Sequence, residues 1–295
     1  MRTFLLLCLI QTAIVTIVAG QLKVVKPGAE LKKLPEKFAF SEGPAVNRKG
    51  DIYFTDQPND KIWKYDRNGK LSLFMDKTGR SNGLYFDRQG NLISCADEKN
   101  ELWSISPDKK VTVLLSRFQG KRLNGPNDLW IDPKGGIYFT DPYYQREYWD
   151  RKQPDIPGQK VYYLPKGKSE AIIVEDSVVK PNGIVGTQDG KYLYVADIQA
   201  NKTYRYGINS DGSLKDRREF APQGSDGMTL DNEGNLYITG KGVTVYDSNG
   251  KKLGNIPVPS NWTGNVCFGG RDRRTLLITA SEAVYTLQMQ VKGVE

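Results

Sequence analysis

The sequence predicts an all-β chain, a six-bladed β-propeller of four-stranded blades whose ring is closed by an N-terminal strand. Three observations predict it. Apolar runs of strand length recur along the chain, and runs of helical period do not. Gly-centred turns join the runs, as in Asp66-Arg67-Asn68-Gly69, Asp87-Arg88-Gln89-Gly90, Asp231-Asn232-Glu233-Gly234 and Asp247-Ser248-Asn249-Gly250. Such turns supply the positive-φ residue that a hairpin needs. One unit also returns six times, at spacings of roughly 40–45 residues, the range of propeller blades.

In chain order the units are GPAVNRKGDIYFTD (43–56), NGLYFDRQGNLISCAD (82–97), NDLWIDPKGGIYFTD (127–141), NGIVGTQDGKYLYVAD (182–197), DGMTLDNEGNLYITG (226–240) and NVCFGGRDRRTLLITA (265–280). Each reads as two strands, and a further strand pair follows, such as KIWKYDRNGKLSLF or GVTVYDSNGKKLGNI. The gap after the third unit is longer because of an insertion, YYQREYWDRKQPDIPG (143–158). The last unit has less chain behind it, so LKVVKPGAELKKL near the N-terminus is expected to complete that blade and remove the open edges.

Residues 1–20 stand apart from the repeats. Met1-Arg2 is a positive start, Phe4 to Val18 is mostly apolar, and Val18-Ala19-Gly20 ends in small residues. This is the pattern of a signal peptide cleaved before Gln21, which leaves residues 21–295 as one propeller domain. The mature chain is expected to be exported, to the periplasm or the extracellular space, with no membrane association. It keeps Cys95 and Cys267, both in strand-like runs where a buried thiol is the commoner state and a disulfide the less common one. Asn201-Lys-Thr and Asn261-Trp-Thr are glycosylation sequons if the source is eukaryotic.

Composition removes several function classes. The chain carries a net charge of +8, but its Lys and Arg are scattered through turns rather than clustered with aromatics, so no nucleic-acid partner is expected. It has no histidine. That rules out Ser-His-Asp and Cys-His triads, His metal sites and His general bases, and leaves carboxylates, Lys, Tyr or an oxygen-held metal.

The repeats point to such a metal. Counting back fourteen or fifteen positions from the end of each second strand reaches Glu42, Asn82, Asn127, Asn182, Asp226 and Asn265. All six carry a side-chain oxygen, and equivalent positions on the first strands of a propeller converge on its axis. A set of turn residues would explain some of the asparagines but not Glu42. Two carboxylates among carboxamides suit a hard divalent ion, Ca²⁺ first, with Mg²⁺, Mn²⁺ or Zn²⁺ as alternatives. Asp66-x-Asn68-Gly69 and Asp247-x-Asn249-Gly250 faintly resemble calcium loops, but Lys77 and Val258 stand where a ligating Glu would be, so they read as hairpin turns.

Ser41-Glu42-Gly43-Pro44, Arg122-Leu123-Asn124-Gly125-Pro126-Asn127-Asp128, Phe139-Thr140-Asp141-Pro142, Pro181-Asn182-Gly183 and Ser225-Asp226-Gly227-Met228 resemble the SMP-30/gluconolactonase/regucalcin family, over about residue 38 to the C-terminus. The RLNGPND…GGIYFTDP stretch is most similar to bacterial gluconolactonases. The resemblance implies a propeller with an axial divalent cation held by Glu42, Asn182 and Asp226. Asn127 would be a ligand or a contact to substrate water, and Asp226 the candidate catalytic base. It implies lactone hydrolysis, with a small sugar lactone as partner. The absence of histidine argues against the related paraoxonase branch.

In that reaction the cation would polarise the ester carbonyl, and a water activated by Asp226 or by the cation would attack. A carboxylate bound to a dication is a poor base, so Asp226 is also expected to act by orienting water. Strand alternation turns Asp128 away from Asn127. Substrate contacts are expected at Asn127 and Asn82. Arg122 is a further candidate that reads equally as a surface arginine. Tyr143 and Tyr144 of the insertion would stack on a sugar ring, or the insertion would pack as a lid between blades. The alternatives are an esterase or organophosphate hydrolase on the same metal, and a non-catalytic secreted propeller that binds a glycan or protein. A closed ring has no obligatory interface, so a monomer is expected.

Overall fold

The computed structural model describes residues 22–295, so the expected signal peptide and its Cys8 lie outside the described residues. Among the described residues every regular element is a strand. None is a helix long and apolar enough to cross a membrane.

Six four-stranded antiparallel sheets form the blades. Blade 1 runs through Ser41–Val46, Ile52–Asp56, Lys61–Tyr65 and Leu71–Asp76, and blade 2 through Ser81–Phe86, Leu92–Ala96, Glu101–Ile105 and Val111–Leu115. Blade 3 comprises Leu129–Ile131, Ile137–Asp141, Lys160–Leu164 and Ile172–Glu175. Blade 4 comprises Pro181–Gly186, Tyr192–Asp197, Lys202–Ile208 and Leu214–Ala221. Blade 5 comprises Met228–Leu230, Leu236–Gly240, Gly242–Tyr246 and Lys252–Ile256. Blade 6 takes Asn265–Gly269, Thr275–Ala280 and Ala283–Gln288 from the C-terminal end. Its outer strand is Lys32–Lys33, which pairs Lys32 with Thr286 and Lys33 with Tyr285, and Val25 bridges to Met289. The N-terminal segment therefore closes the ring, as its position before the first repeat predicts.

Burial follows position in the blade. The first two strands of blade 1 are buried along their length, because sheets press on them from both sides, while Leu71–Asp76 alternates toward solvent. The core lies in layers between adjacent blades. Ile52 and Phe54 of blade 1 pack with Cys267 and Leu277 of blade 6, and Trp130 and Tyr138 of blade 3 with Ile184 and Leu193 of blade 4. Cys95 and Cys267 are free, buried thiols.

The turns behave as their composition predicts. Gly69 and Gly250 have φ of 85° and 85°, accessible without strain only to a residue lacking Cβ. Asp66 Oδ1 accepts from the Asn68 and Lys70 amides at 2.8 and 2.9 Å, and Asp247 does the same for Asn249 and Lys251. These carboxylates are spent on their own hairpins, which disposes of the calcium-loop resemblance.

The insertion acts as an inter-blade brace. It leaves blade 3 after Asp141 and docks on blade 2. Arg146 Nε meets Asp97 Oδ2 at 2.9 Å, the Tyr148 hydroxyl donates to the same carboxylate, and Trp149 Nε1 donates to the Asp97 carbonyl at 3.0 Å. Trp149 is buried, and Arg80 lies 4.6 Å from the Tyr148 ring centroid.

Candidate active site

The six repeat-register residues form a ring. The glycine after a ring residue lets the next blade close in, since a Cβ on Gly43 would lie 2.0 Å from the Asn82 carbonyl oxygen and one on Gly227 1.9 Å from Asn265 Cγ. Gly83 meets Asn127 in the same way and Gly183 meets Asp226, while Gly264, which precedes Asn265, meets Glu42 and returns the circuit to blade 1. Threonines on the second strands bind the circuit together. Thr55 Oγ1 donates to the Asn82 carbonyl at 3.1 Å and Thr140 Oγ1 to the Asn182 carbonyl at 2.7 Å.

The ring residues do not share one role. Glu42 and Asp226 face each other across blade 6. Burial, and then the Asp226 charge, hold the Glu42 carboxyl well above the usual carboxylate range, although the Gly43 amide donates to its Oε2 at 2.9 Å. Asp226 is also raised, first by burial, and is held back by the Trp262 indole, whose Nε1 donates to Oδ2 at 2.6 Å. Asn182 joins this pair. Its Nδ2 donates to the Tyr144 hydroxyl at 3.0 Å, and its Oδ1 is buried without a partner. Among the described residues the side chains of Asn82 and Asn127 make no hydrogen bond, while their backbones are tied into the ring.

Asn265 and Asp128 form a second layer. Asp128 Oδ2 accepts from Asn265 Nδ2 at 3.4 Å and Oδ1 from the Leu129 amide at 2.9 Å, and burial pushes its carboxyl up to about 7. Strand alternation places Asp128 away from the ring direction, yet its carboxylate reaches the Asn265 amide from blade 6. Asn127 and Asp128 both pair with Thr140, two residues against one, and this bulge before the regular register at Leu129 breaks the alternation. Asn124 supports the loop. Asp141 accepts from the Asn124 and Gly125 amides at 2.8 and 2.7 Å, and Asn124 Nδ2 holds the end of the insertion at the Gly158 carbonyl, 2.9 Å away.

Of the predicted substrate contacts, Tyr144 alone joins the carboxylate pair, through Asn182. Burial, then the Asp226 charge, pushes its phenol up to about 12. Tyr143 turns away, its ring 5.6 Å from that of Trp149. Arg122 is not directed at the site. Its guanidinium is occupied by Asp150 at 2.7 Å and Asp155 at 3.0 Å, so it braces the insertion. Sequence reasoning missed Trp262, Lys180 and Arg146. Trp262 sits in a connection with no repeat equivalent. The other two flank the Tyr144 ring, Lys180 Nζ at 4.1 Å and Arg146 Cζ at 5.7 Å from its centroid. No register signal marks them.

The donor set fits a hard divalent cation. Two adjacent carboxylates, both raised by burial and one raised further by the other's charge, beside an unpaired amide oxygen, are a charge arrangement that a cation relieves. Among the described residues no three His, Cys, Asp or Glu side chains gather as a metal site. Here part of the coordination falls to carboxamide oxygen, which Ca²⁺ accepts readily.

The SMP-30/Gluconolactonase/LRE-like region matches residues 18–282. A gluconolactonase of Zymomonas mobilis is 28% identical, covering 86% of this chain and 80% of its own length. A pentonolactonase of Haloferax volcanii is 25% identical, covering 78% and 77%. Among solved structures, a gluconolactonase of Xanthomonas campestris superposes with a TM-score of 0.84 at 29% identity, over 92% of each chain. A calcium-binding regucalcin of Agrobacterium tumefaciens shares the fold, with a TM-score of 0.73 at 19% identity over 89% of this chain and 95% of that one. By sequence and by fold, the chain belongs to the SMP-30/gluconolactonase/LRE-like family.

Proposed function

We propose that this protein is a lactonase that hydrolyses a sugar lactone to the hydroxy acid, and that it needs a divalent cation, calcium first, held by Glu42, Asp226, Asn182 and Asn127. The observation that carries the reading is the pairing of buried Glu42 with half-buried Asp226 beside the orphaned Asn182 Oδ1. The curated relatives named gluconolactonase and pentonolactonase support the substrate class.

When bound, the cation supplies Lewis-acid polarisation of the lactone carbonyl. The chain's own residues supply position. Trp262 fixes Asp226 Oδ2, which sets the plane of the carboxylate and leaves its other oxygen for the cation and water. Asp226 orients the attacking water and accepts its hydrogen bond. Water adds at the acyl carbon, the ring C–O bond breaks, and the ring oxygen leaves as a hydroxyl. Asn127 and Asn82 offer free carboxamides to substrate hydroxyls. The same reading has the chain exported after cleavage at Gln21 and acting as a monomer.

A panel of aldonolactones, assayed with and without EDTA and with metals restored singly, tests it. Turnover should vanish with chelator, return with calcium, and be lost in Asp226→Asn. Undiminished turnover in EDTA would overturn the metal requirement. No turnover on any lactone, with the cation bound, would overturn the activity.

A further inference from the structure

We propose that Lys180 and Arg146 form an anion subsite at the mouth of the channel, and that the preferred lactones carry a carboxylate at the end of the carbon chain remote from the reacting ester. The inference rests on the lactonase reading and narrows its substrate class.

Both cations bracket one ring. Lys180 Nζ is 4.1 Å and Arg146 Cζ 5.7 Å from the Tyr144 centroid, and the Tyr144 hydroxyl accepts from Asn182 Nδ2 at 3.0 Å. A ligand reaching from the carboxylate pair along Tyr144 therefore arrives beside two positive groups. Their positions are built rather than incidental. The Lys180 amide donates to Asp197 Oδ1 at 3.0 Å, and its carbonyl accepts from the Ile198 amide at 3.0 Å, so the backbone aims the side chain. Arg146 is anchored through Nε alone to the buried Asp97 at 2.9 Å. Among the described residues, Lys180 Nζ and both Arg146 Nη atoms have no acceptor within hydrogen-bond distance.

Electrostatics gives the sign of the ligand. Burial, and then the Arg146 charge, hold the Lys180 ammonium below its usual range. Arg146 is already balanced by the buried Asp97, whereas Lys180 has no carboxylate partner among the described residues and stands without a counter-charge in a partly desolvated cleft. A ligand carboxylate restores the balance, and the free Nη edge of Arg146 suits its two oxygens. A neutral sugar lactone leaves Lys180 without a counter-charge and the Arg146 Nη donors unused.

D-glucaro-1,4-lactone and D-glucono-1,4-lactone isolate the effect, because they differ only in a carboxylate for a hydroxymethyl at the far carbon. The wild-type protein should favour the anionic lactone in kcat/KM by at least about tenfold, through KM, with the preference shrinking as salt rises. Lys180→Gln should bring the ratio of the two lactones to about one, again through KM for the anionic lactone. Arg146→Gln should lower the ratio too, and thermal melts should show both variants folded. Equal kcat/KM for the two lactones in the wild type, or an unchanged ratio in Lys180→Gln, overturns the subsite. If neither lactone is hydrolysed, calorimetric binding of D-glucarate decides. Binding lost in Lys180→Gln keeps the subsite and removes the lactonase reading, whereas no binding removes the subsite.

Discussion

Replacing Glu42 by Gln should stabilise the protein when metal is removed, although it destroys the site. Glu42 is raised by burial and by the Asp226 charge, so its ionised form is disfavoured in the fold. Below its ordinary value of 4.5 the carboxyl is protonated in both folded and unfolded chains, and nothing is lost. Above that value the unfolded chain releases a proton that the metal-free fold retains. Stability then falls by up to about 1.4 kcal/mol per pH unit, until the folded carboxyl itself ionises. For a chain of this size that corresponds to about 3–5 °C in Tm per pH unit. Gln keeps the volume and an acceptor for the Gly43 amide, and removes the charge. Thermal melts in EDTA from pH 5 to 8 should therefore show the wild type losing Tm as pH rises, with Glu42→Gln flatter and higher at pH 8. Calcium at a hundredfold excess over Kd should add about 2.7 kcal/mol to the wild type and far less to the variant. A variant that melts below the wild type in EDTA at pH 8, with the same slope, would show that the two carboxylates do not strain the apo fold.

Three further outcomes follow from the hydrogen-bond network. Trp262→Phe removes the 2.6 Å donor to Asp226, and since the indole is 36% exposed the loss is at the low end of a charged hydrogen bond. A fall in kcat/KM of about tenfold is expected, with little change in Tm. Asp141→Ala leaves the buried Asn124 and Gly125 amides unpaired, which should cost about 2–4 kcal/mol in urea unfolding and raise KM by loosening the Asn127 loop. Burial pushes both the Cys95 and Cys267 thiols up, so a thiol reagent should modify neither in the native state and both on unfolding, with Tm indifferent to reductant.

The architecture was legible because a propeller repeats itself. One register, counted back from the end of each second strand, located Glu42, Asn82, Asn127, Asn182, Asp226 and Asn265, and blade geometry carries that register to the axis without knowledge of any contact. The short last unit predicted closure by residues near Lys32 for the same reason. Asp128 does bond a neighbouring amide, that of Leu129, but its reach to Asn265 was not legible, because a bulge opposite Thr140 breaks the alternation there. Arg122 and Tyr143 were legible only as residues near the mouth, since the insertion occurs once and has no register.

Periodicity places a Cα at a given height and angle, and so it determined the ring of six oxygens. It cannot say which way each side chain turns or what a loop brings over it. Only the tertiary structure paired Glu42 with Asp226 and left Asn182 Oδ1 without a partner. Only it sent Asn265 down to Asp128 and hung Trp262 on Asp226. The insertion reached Asp97 across a blade boundary, 49 residues away in sequence, and thereby set Arg146 beside the same Tyr144 ring as Lys180. Those choices depend on burial, charge and close approach between segments far apart in the chain, and no local pattern encodes them.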